Sequence, residues 1–529
     1  MTGRERFTGG TLRCPNIRLI AGLLAVTASG CTVGPNFTPP AAPTVSRYTT
    51  PGEKTAFDAG PAAPRQAIAV GEKVTAEWWT LFRSPDLDRV VKQAIAGNLT
   101  FESTKARLAA AREAVMSASG ALYPQVSFGA SVTREKLSAS SFGLSPGAFA
   151  VPPNFNLFQL GPTVSYAPDL FGGTHRQIEQ QAALADFQRD QLNAAYLTLT
   201  GNAVTQAIQI AGIRAQQTAV GDILKIDRQN LELVRKQRDA GAVPDSDVIT
   251  AESQLAADET VLPGLNQQLS VARHALAVLL GRAPGDWSPP DFDLGALTLP
   301  GRLPVSMPSE LVHQRPDIQA AEAQLHAASA QIGVATARLY PAITLSASAG
   351  AAGLDPGHMF DPTGLVWSIA AGLTQPIFDG GTRQADRRAA LASFKASAAD
   401  YQQTVLQAFG QVADVLQALT HDAELLADQK RALDLASESI GLQRINYARG
   451  GTGLISLLDA QRQYQQARQG QIRAEAQRYQ DTIQLLVAMG GGWWDANLTM
   501  ADNAGPTASD PAAHDPSLHM AKTTGGGSR

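Results

Sequence analysis

Two stretches of this chain repeat one another and decide how it folds. Ala121-Leu-Tyr-Pro-Gln-Val-Ser-Phe128 matches Arg338-Leu-Tyr-Pro-Ala-Ile-Thr-Leu345, which lies 217 positions later. Leu170-Phe-Gly-Gly-Thr174 recurs in the same order as Phe378-Asp-Gly-Gly-Thr382. Two copies are too few for a solenoid, which needs about three stacked units to bury its faces. The duplication therefore predicts a fold that is completed by pairing or by oligomerisation.

Each copy contains two segments in which apolar residues alternate with small or polar ones. The first segment covers about residues 124–134 in one copy and 341–350 in the other. The second covers about residues 155–167 and 364–375. A period of two is typical of β-strands. The sequence thus predicts four strands of about ten residues, a length that crosses a membrane in a barrel.

These four strands have one apolar side and one side of Ser, Thr and Gly. They are too few to close a barrel within one chain, and an open sheet edge cannot remain in lipid. We therefore expect several subunits to share one barrel, although a half-buried soluble sheet is the alternative. The expected lipid-facing residues are Phe128, Leu345, Trp367 and Leu373, and the expected lumen-facing residues are Ser127, Thr344 and Ser368. An arginine at Trp367 is expected to cost about 2–4 kcal/mol if this position lies near the membrane midplane.

Long helices are predicted between the strands. From Leu391 to Tyr447 an apolar residue recurs at every seventh position, which indicates a coiled coil. The expected helices cover about residues 174–240, 245–281, 380–449 and 454–489. Pro263-Gly264 should kink the second of them. A helix over residues 380–449 would be roughly 100 Å long, which suits the wall of a water-filled tube, while a solid coiled-coil stalk would bury the same seam.

The N-terminus has the pattern of a lipoprotein signal. Several arginines precede the short apolar segment Leu19–Val26, and Ala28-Ser-Gly-Cys31 follows it. This order predicts a signal peptide over residues 1–30 and a lipid on Cys31, which would begin an acylated N-terminal linker over residues 31–77. The alternative is that Cys31 is an ordinary buried cysteine. The tail, residues 495–529, has no periodicity and is expected to be disordered.

Composition argues against several classes of function. Lys and Arg number 43 against 47 Asp and Glu, with no basic block, so nucleic acid is not an expected partner. The two cysteines and eight histidines form no Cys-x-x-Cys or His-x-x-x-His pair, so no metal site is predicted. Gly450-Gly-Thr-Gly453 lacks the Gly-Lys-Ser/Thr of a phosphate-binding loop. We predict no enzyme activity and no cofactor apart from the covalent lipid on Cys31.

Five ordered motifs cover nearly the whole mature chain and resemble the outer-membrane factor family, in its NodT-like lipoprotein branch, related to TolC. They are Cys31-Thr-Val-Gly-Pro-Asn-Phe-Thr-Pro-Pro40; Trp78-Trp79 through Leu87 and Asn98; Gln314-Arg-Pro-Asp317 leading to Tyr340-Pro341; Gln375-Pro-Ile-Phe-Asp-Gly-Gly381; and Tyr447 through Leu457-Leu-Asp-Ala-Gln461. The resemblance implies a mixed α and β, TolC-like homotrimer. Its shared 12-stranded transmembrane β-barrel, with four strands per chain, would continue into a long periplasmic α-helical coiled-coil barrel surrounded by an equatorial layer. The two repeats would cover residues 78–307 and 308–494.

The same resemblance implies a function in the outer membrane. The trimer would be the passive exit duct of a tripartite efflux pump. It would release small molecules that an inner-membrane transporter of the RND type delivers through a periplasmic adaptor, also called a membrane fusion protein. Two alternatives stay open: the duct of a protein secretion system and, in a different class, a trimeric structural stalk or adhesin.

The turn between the last two helices is the predicted periplasmic mouth. The resemblance places hydrophobic and aspartate constrictions there, which map onto Leu454, Ile455 and Asp459. It also implies that Arg462 holds the mouth shut through polar links to a neighbouring helix, and Asp245 and Asp247 at the other tip are its candidate partners. In a trimer Asp459 would form a ring of three carboxylates that favours cations. The alternative is an ordinary exposed pair of Asp459 and Arg462 on one helix.

The adaptor is expected to contact the two helical tips. The candidate residues are Gly241 and Val243 at the first tip and Gly450 and Gly453 at the second. The first tip departs from the family pattern because it contains Pro244 and lacks the tyrosine that often precedes the glycine. The second tip, which contains Tyr447, fits the pattern better.

Overall fold

The computed structural model describes residues 32–49, 56–57, 65–136 and 154–493. The predictions for residues 1–30, Cys31 and residues 495–529 fall outside these ranges. The helices are α1 Pro85–Gly97, α2 Leu99–Gly120, α3 Gly173–Asp239, α4 Asp245–Glu259, α5 Val261–Leu279, α6 Pro316–Ala337, α7 Thr382–Ala448 and α8 Leu454–Ala488. The strands are β1 Ala56–Phe57, β2 Gln66–Val70, β3 Gln125–Lys136, β4 Asn154–Tyr166, β5 Arg302–Val305, β6 Ala342–Gly353 and β7 Leu365–Thr374.

The four predicted strands form one antiparallel sheet in the order β3-β4-β6-β7. Within this sheet β3 and β7 are the edge strands. Strand β4 leads into α3 and β7 leads into α7. The paired residues Lys136 and Asn154, where β3 ends and β4 begins, lie at the opposite end of the sheet, as does the connection between β6 and β7. All the long helices therefore continue from the same end of the sheet.

The pairing register separates the two predicted faces of this sheet. Phe128 pairs with Pro162 and Trp367 with Ala349, so these apolar residues share a face. On the other face Ser348 and Ser368 are hydrogen-bonded through their hydroxyl oxygens at 2.8 Å. Ser127 and Thr163 make the same contact at 2.7 Å. The alternation read from the sequence thus corresponds to one apolar and one polar surface.

The two longest helices, α3 and α7, each have 67 residues. At 1.5 Å per residue each is about 100 Å long. The predicted kink is present as a break between α4 and α5 at Thr260. Its position follows from Pro263, because a proline ring clashes with the carbonyl four residues earlier, here that of Glu259. Among the described residues, none of the helices combines the length and apolarity that a membrane-crossing helix requires.

A second, smaller sheet lies beside the helices. Strand β2 pairs with β1 in antiparallel and with β5 in parallel orientation. The segment predicted as a linker therefore contributes two strands, which sequence analysis missed because they are short and lack a clear alternation. Trp78, Trp79 and Phe82 are buried next to this sheet, and the Phe82 ring lies 6.1 Å from that of Tyr479 in α8. This core ties the N-terminal region to the middle of the helices.

Candidate functional site

The helical hairpin of α3 and α4 and the hairpin of α7 and α8 pack together at their tips through one apolar cluster. Its buried members are Leu231, Val234, Val248, Ala251, Tyr447, Leu454, Leu457 and Leu458. The Tyr447 hydroxyl also donates a hydrogen bond to Gln237 Oε1 at 2.8 Å. Leu454 is only 4% exposed. We therefore correct the sequence-based grouping and assign Leu454 to the packing of the tip rather than to the gate.

The other predicted gate residues lie outside this cluster. Ile455 is 76% exposed, and Asp459 and Arg462 are exposed one turn further along α8. Arg462 Nη2 donates to Asp459 Oδ1 at 2.9 Å. At the first tip, Arg238 Nη1 donates to Asp245 Oδ1 at 3.4 Å, and Asp247 is half-buried. Within one chain Arg462 therefore pairs along its own helix, and its link to a neighbouring helix stays a prediction.

The predicted adaptor-contacting residues lie at the two turns. Gly241 has φ of 74° and Gly450 has φ of 73°, a left-handed conformation that side-chain-bearing residues rarely adopt. Gly453 is the exposed N-cap of α8. Val243 packs half-buried against the apolar cluster of the tip. Both tips thus present exposed backbone at a tight turn.

A buried group of carboxyls and amides lies above the tips, between α3, α4 and α8. Gln461 donates from Nε2 to Asp227 Oδ1. Gln465 Nε2 donates to Asp258 Oδ1 at 3.0 Å, and Gln254 Nε2 donates to Asp258 Oδ2 at 2.8 Å. Burial, and next the negative charge of Asp258, raises the pKa of Asp227 to about 7. Two helical hairpins are thus joined through a carboxyl that is protonated in mildly acidic solution.

Asp227 makes the stability of the helices dependent on pH. Its pKa is higher in the folded chain than the ordinary value of 3.8, so the folded state holds the proton more tightly. The stabilisation is complete below pH of about 4 and is lost as pH rises to about 7. We expect the thermal midpoint, followed by circular dichroism at 222 nm, to fall between pH 4 and pH 7, and to fall less in Asp227→Asn.

The matched control is Asp222→Asn, because Asp222 lies on the same helix but is exposed and pairs with Lys225. This variant should keep the pH dependence of the parent protein. Identical pH profiles for Asp227→Asn and the parent would contradict the role of Asp227.

A second buried polar group joins α7 and α8 to the small sheet. Arg478 is fully buried, and its Nε donates to Gln66 Oε1 at 2.8 Å. Burial raises the pKa of Asp422 to about 8, followed by the hydrogen bond and the charge of Asp481, while Arg478 opposes the rise. Asp481 is also buried and accepts a hydrogen bond from Gln477 Nε2 at 3.1 Å. The Arg478 guanidinium thus donates a hydrogen bond to strand β2, and its positive charge also acts on the buried pair Asp422 and Asp481.

The N-terminal segment is held by a buried arginine of α3. Arg176 Nε donates to the Val33 carbonyl at 3.2 Å, and Nη2 donates to Asn36 Oδ1 at 2.7 Å. The Val33 amide donates to the Phe171 carbonyl at 3.1 Å. Thr32 packs so closely on Gly172 that a Cβ there would clash with it. Residue 32 therefore lies at the point where β4 ends and α3 begins.

The described residues contain no group of three or more His, Cys, Asp or Glu side chains that could hold a metal ion. The buried carboxyls of Asp227 and Asp258 accept hydrogen bonds from the side-chain amides of Gln461 and Gln465.

Comparison with known proteins agrees with this architecture. The outer membrane efflux protein family matches residues 90–282 and 307–491, two segments that correspond to the two copies. The chain is 28% identical over 480 residues to the pyoverdine export outer membrane protein OpmQ of Pseudomonas aeruginosa, which covers 90% of this chain and 97% of OpmQ. It is also 28% identical over 485 residues to nodulation protein T of Rhizobium leguminosarum bv. viciae, covering 90% and 94% of the two chains.

Solved structures show the same fold. The outer-membrane channel OprN superposes with a TM-score of 0.76 at 29% identity, covering 88% of this chain and all of OprN. The CmeC outer membrane channel of Campylobacter jejuni superposes with a TM-score of 0.77 at 19% identity, covering 87% and 95%. The family resemblance read from the five motifs is confirmed, and this chain belongs to the outer membrane efflux protein family.

Proposed function

We propose that this chain forms a homotrimeric exit duct of a tripartite efflux pump. Three copies of the β3-β4-β6-β7 sheet close into a 12-stranded barrel in the outer membrane. Helices α3 to α5, α7 and α8 continue it as a tube through the periplasm. The observation that carries this proposal is a sheet with one apolar face, one polar face and two free edges, joined at one end to helices about 100 Å long.

Small molecules are the proposed cargo. The similar proteins include the pyoverdine exporter OpmQ, the toluene efflux protein TtgF and the antibiotic efflux protein ArpC. These names favour small-molecule efflux over the protein-secretion alternative. An inner-membrane transporter of the RND type and a periplasmic adaptor are the proposed partners, with the adaptor at Gly241, Val243, Gly450 and Gly453. The duct itself is passive and performs no catalysis.

Conductance tests the function directly. Purified protein inserted into a planar bilayer should show discrete single-channel steps, because the polar face of the sheet would line a continuous aqueous lumen. A trimeric stalk or adhesin would share the strands and the coiled coil but would not conduct. Protein that inserts and remains trimeric without conducting would overturn the proposal.

We propose that Cys31 carries the lipid anchor. The contact of Thr32 with Gly172 and the bonds of Arg176 support this, because they hold the adjacent residue where the strands end and the helices begin. In a membrane barrel that boundary lies near the lipid surface. Cys31→Ser should therefore abolish incorporation of radiolabelled fatty acid. Unchanged incorporation would refute the assignment, and Ser29→Ala, which leaves the cysteine in place, is the control.

We propose that Ile455, Asp459 and Arg462 form the periplasmic gate. The exposure of all three side chains on the first two turns of α8 supports this. Asp459→Ala and Arg462→Ala should each raise single-channel conductance, because the polar links that narrow the mouth are lost, and Asp459→Ala should also weaken cation preference. The matched control is Asp428→Ala, which removes an exposed carboxylate from the middle of α7. Unchanged conductance and selectivity in both gate variants would remove these residues from the mouth.

A further inference from the structure

We propose that each chain carries a binding site for organic cations in the wall of the duct, at the level where α8 ends and α6 begins. The site is a cavity between α3 and α7 with an apolar floor and the carboxylate of Asp414 at its rim. The proposal rests on the exit duct above and adds the class of molecule that its wall binds. The expected occupant is a small molecule that carries one positive charge next to an apolar group.

The cavity lies where two helices meet end to end. Helix α8 ends at Ala488 and α6 begins at Pro316, and Arg315 Nη1 donates to the Ala488 carbonyl at 3.2 Å. Both helices pack against α3 and α7, which pass the junction without a break. A cavity of about 510 Å³ is left at this junction. That volume lies in the range of small-molecule sites, and all of its lining belongs to one chain.

The cavity opens away from the small sheet. On α8, Thr482 accepts a hydrogen bond from Gln66 Nε2 of strand β2 at 3.2 Å, so this side of the helix faces the small sheet. Gln484 lines the cavity and is exposed. Two residues correspond to about 200° around a helix, so Gln484 lies on the opposite side of α8. In the proposed duct the small sheet belongs to the outer layer, and the cavity therefore opens into the lumen.

The floor of the cavity is apolar. It is formed by buried side chains of three helices, Leu197 of α3, Val415 of α7, and Ile483 and Ala488 of α8. An apolar surface at the bottom of a recess binds the apolar part of a ligand, because the contact removes both surfaces from water.

The charges that line the cavity leave one carboxylate unpaired. Arg315 and Asp317 neutralise each other through two hydrogen bonds, from Nε to Oδ1 at 3.0 Å and from Nη2 to Oδ2 at 2.6 Å. Arg315 Nη2 also donates to Gln411 Oε1 at 2.9 Å, so each guanidinium nitrogen already has an acceptor. Asp414 is exposed, and its carboxylate has no partner within the part of the chain that the structure describes.

This arrangement selects a cation. An anion would meet the charge of Asp414 but no available positive charge, since Arg315 is 7% exposed and already bonded. A cation beside Asp414 can place its apolar group on the floor of the cavity. The rim also presents hydroxyl and amide groups for the polar atoms of a ligand, those of Thr198, Asn202 and Gln484. An exposed carboxylate alone binds a cation weakly, so the apolar floor is what distinguishes this position from the rest of the lumen.

Ligand-observed NMR tests the site. The probe is benzyltriethylammonium, a cation with one aromatic ring, and benzenesulfonate is the anionic comparison. Saturation-transfer difference spectra are recorded during titration of purified protein in detergent, and protein-free micelles give the contribution of the detergent. We expect the cation to bind saturably, with a dissociation constant about tenfold or more below that of the anion.

Three variants locate the binding. Asp414→Asn is expected to weaken binding of the cation about tenfold, because the unpaired charge is removed, whereas Asp414→Glu should retain most of the affinity. Gln484→Arg should also weaken binding, because it places a positive charge at the same rim. The matched control is Asp400→Asn, since Asp400 is exposed on the same helix fourteen residues earlier, at nearly the same angle but outside the cavity. It should leave the dissociation constant unchanged.

Equal weakening by Asp400→Asn and Asp414→Asn would show that the general charge of the lumen attracts the probe, and would overturn the site. Equal affinities for the cation and the anion would overturn its selectivity for cations. Absence of saturable binding to protein that conducts in a planar bilayer would also overturn the site, while the duct would stand. Protein that does not conduct would count against the duct itself, so the two failures are distinguishable.

Discussion

Replacing Arg478 with Met is expected to lower the free energy of unfolding of the helical region by about 3–5 kcal/mol. The side chain is fully buried, and it donates to Gln66 Oε1 and to the Phe57 carbonyl. Methionine fills similar volume but leaves these acceptors and the buried carboxyls Asp422 and Asp481 without the positive charge. Chemical unfolding followed by circular dichroism in detergent measures the change.

The matched control is Arg473→Met, because Arg473 lies on the same helix and is exposed. It should change stability by about 0.5 kcal/mol or less. In alkaline solution, where Asp422 ionises, a second variant, Arg478→Met with Asp422→Asn, should recover part of the loss because one buried carboxyl no longer ionises. Equal stability of Arg478→Met and Arg473→Met would show that the buried arginine does not stabilise the fold.

Ile369→Arg is expected to destabilise the inserted barrel by about 2–4 kcal/mol. An arginine at Trp367 would cost as much only if that residue lay near the membrane midplane. The structure places Trp367 third in the ten-residue strand β7, toward the end remote from the helices, and Ile369 at its middle. The cost of an arginine on the lipid face falls to about 0–1 kcal/mol near the membrane surface, so Trp367→Arg should cost much less than Ile369→Arg.

The stabilities of the Ile369→Arg and Trp367→Arg barrels are compared by the heat resistance of the trimer on denaturing gels and by refolding into lipid vesicles. The control is Ala370→Arg, which places the same charge next to Ile369 but on the polar face. A larger loss in Ala370→Arg than in Ile369→Arg would invert the assignment of the two faces. Equal losses at Trp367 and Ile369 would contradict the depth assigned to them.

Periodicity made the strands and long helices predictable. Most residues of β3, β4, β6 and β7 alternate between apolar and polar or small side chains, because each strand has an apolar and a polar surface. The helices keep an apolar residue at every seventh position because they pack along a narrow seam. The short strands β1 and β2 had no such signal, since two to five residues are too few to show a period.

The buried polar groups could not be read from the sequence in the same way. Asp227 stands seven residues from both Val220 and Val234, which are buried, so it interrupts an apolar series. Arg478 likewise stands seven residues before the buried Leu485. A charged residue at an apolar position of a helix indicates a buried polar contact, but it does not identify the partner. Gln461, the partner of Asp227, and Gln66, the partner of Arg478, each lie more than two hundred residues away in the sequence. Only the fold brings them together.

The equal length of α3 and α7 has a mechanical consequence. Both helices begin at a glycine cap soon after a strand and contain 67 residues, so their far ends reach the same depth. The tube consequently ends in a level rim, and a protein that meets one tip meets the other at the same height. A seven-residue deletion in one repeat alone would tilt this rim by about 10 Å from one tip to the next, whereas matched deletions would keep it level. The helices of the two repeats therefore set together the distance between the outer membrane and a protein that docks at the tips. Their lengths can change only together.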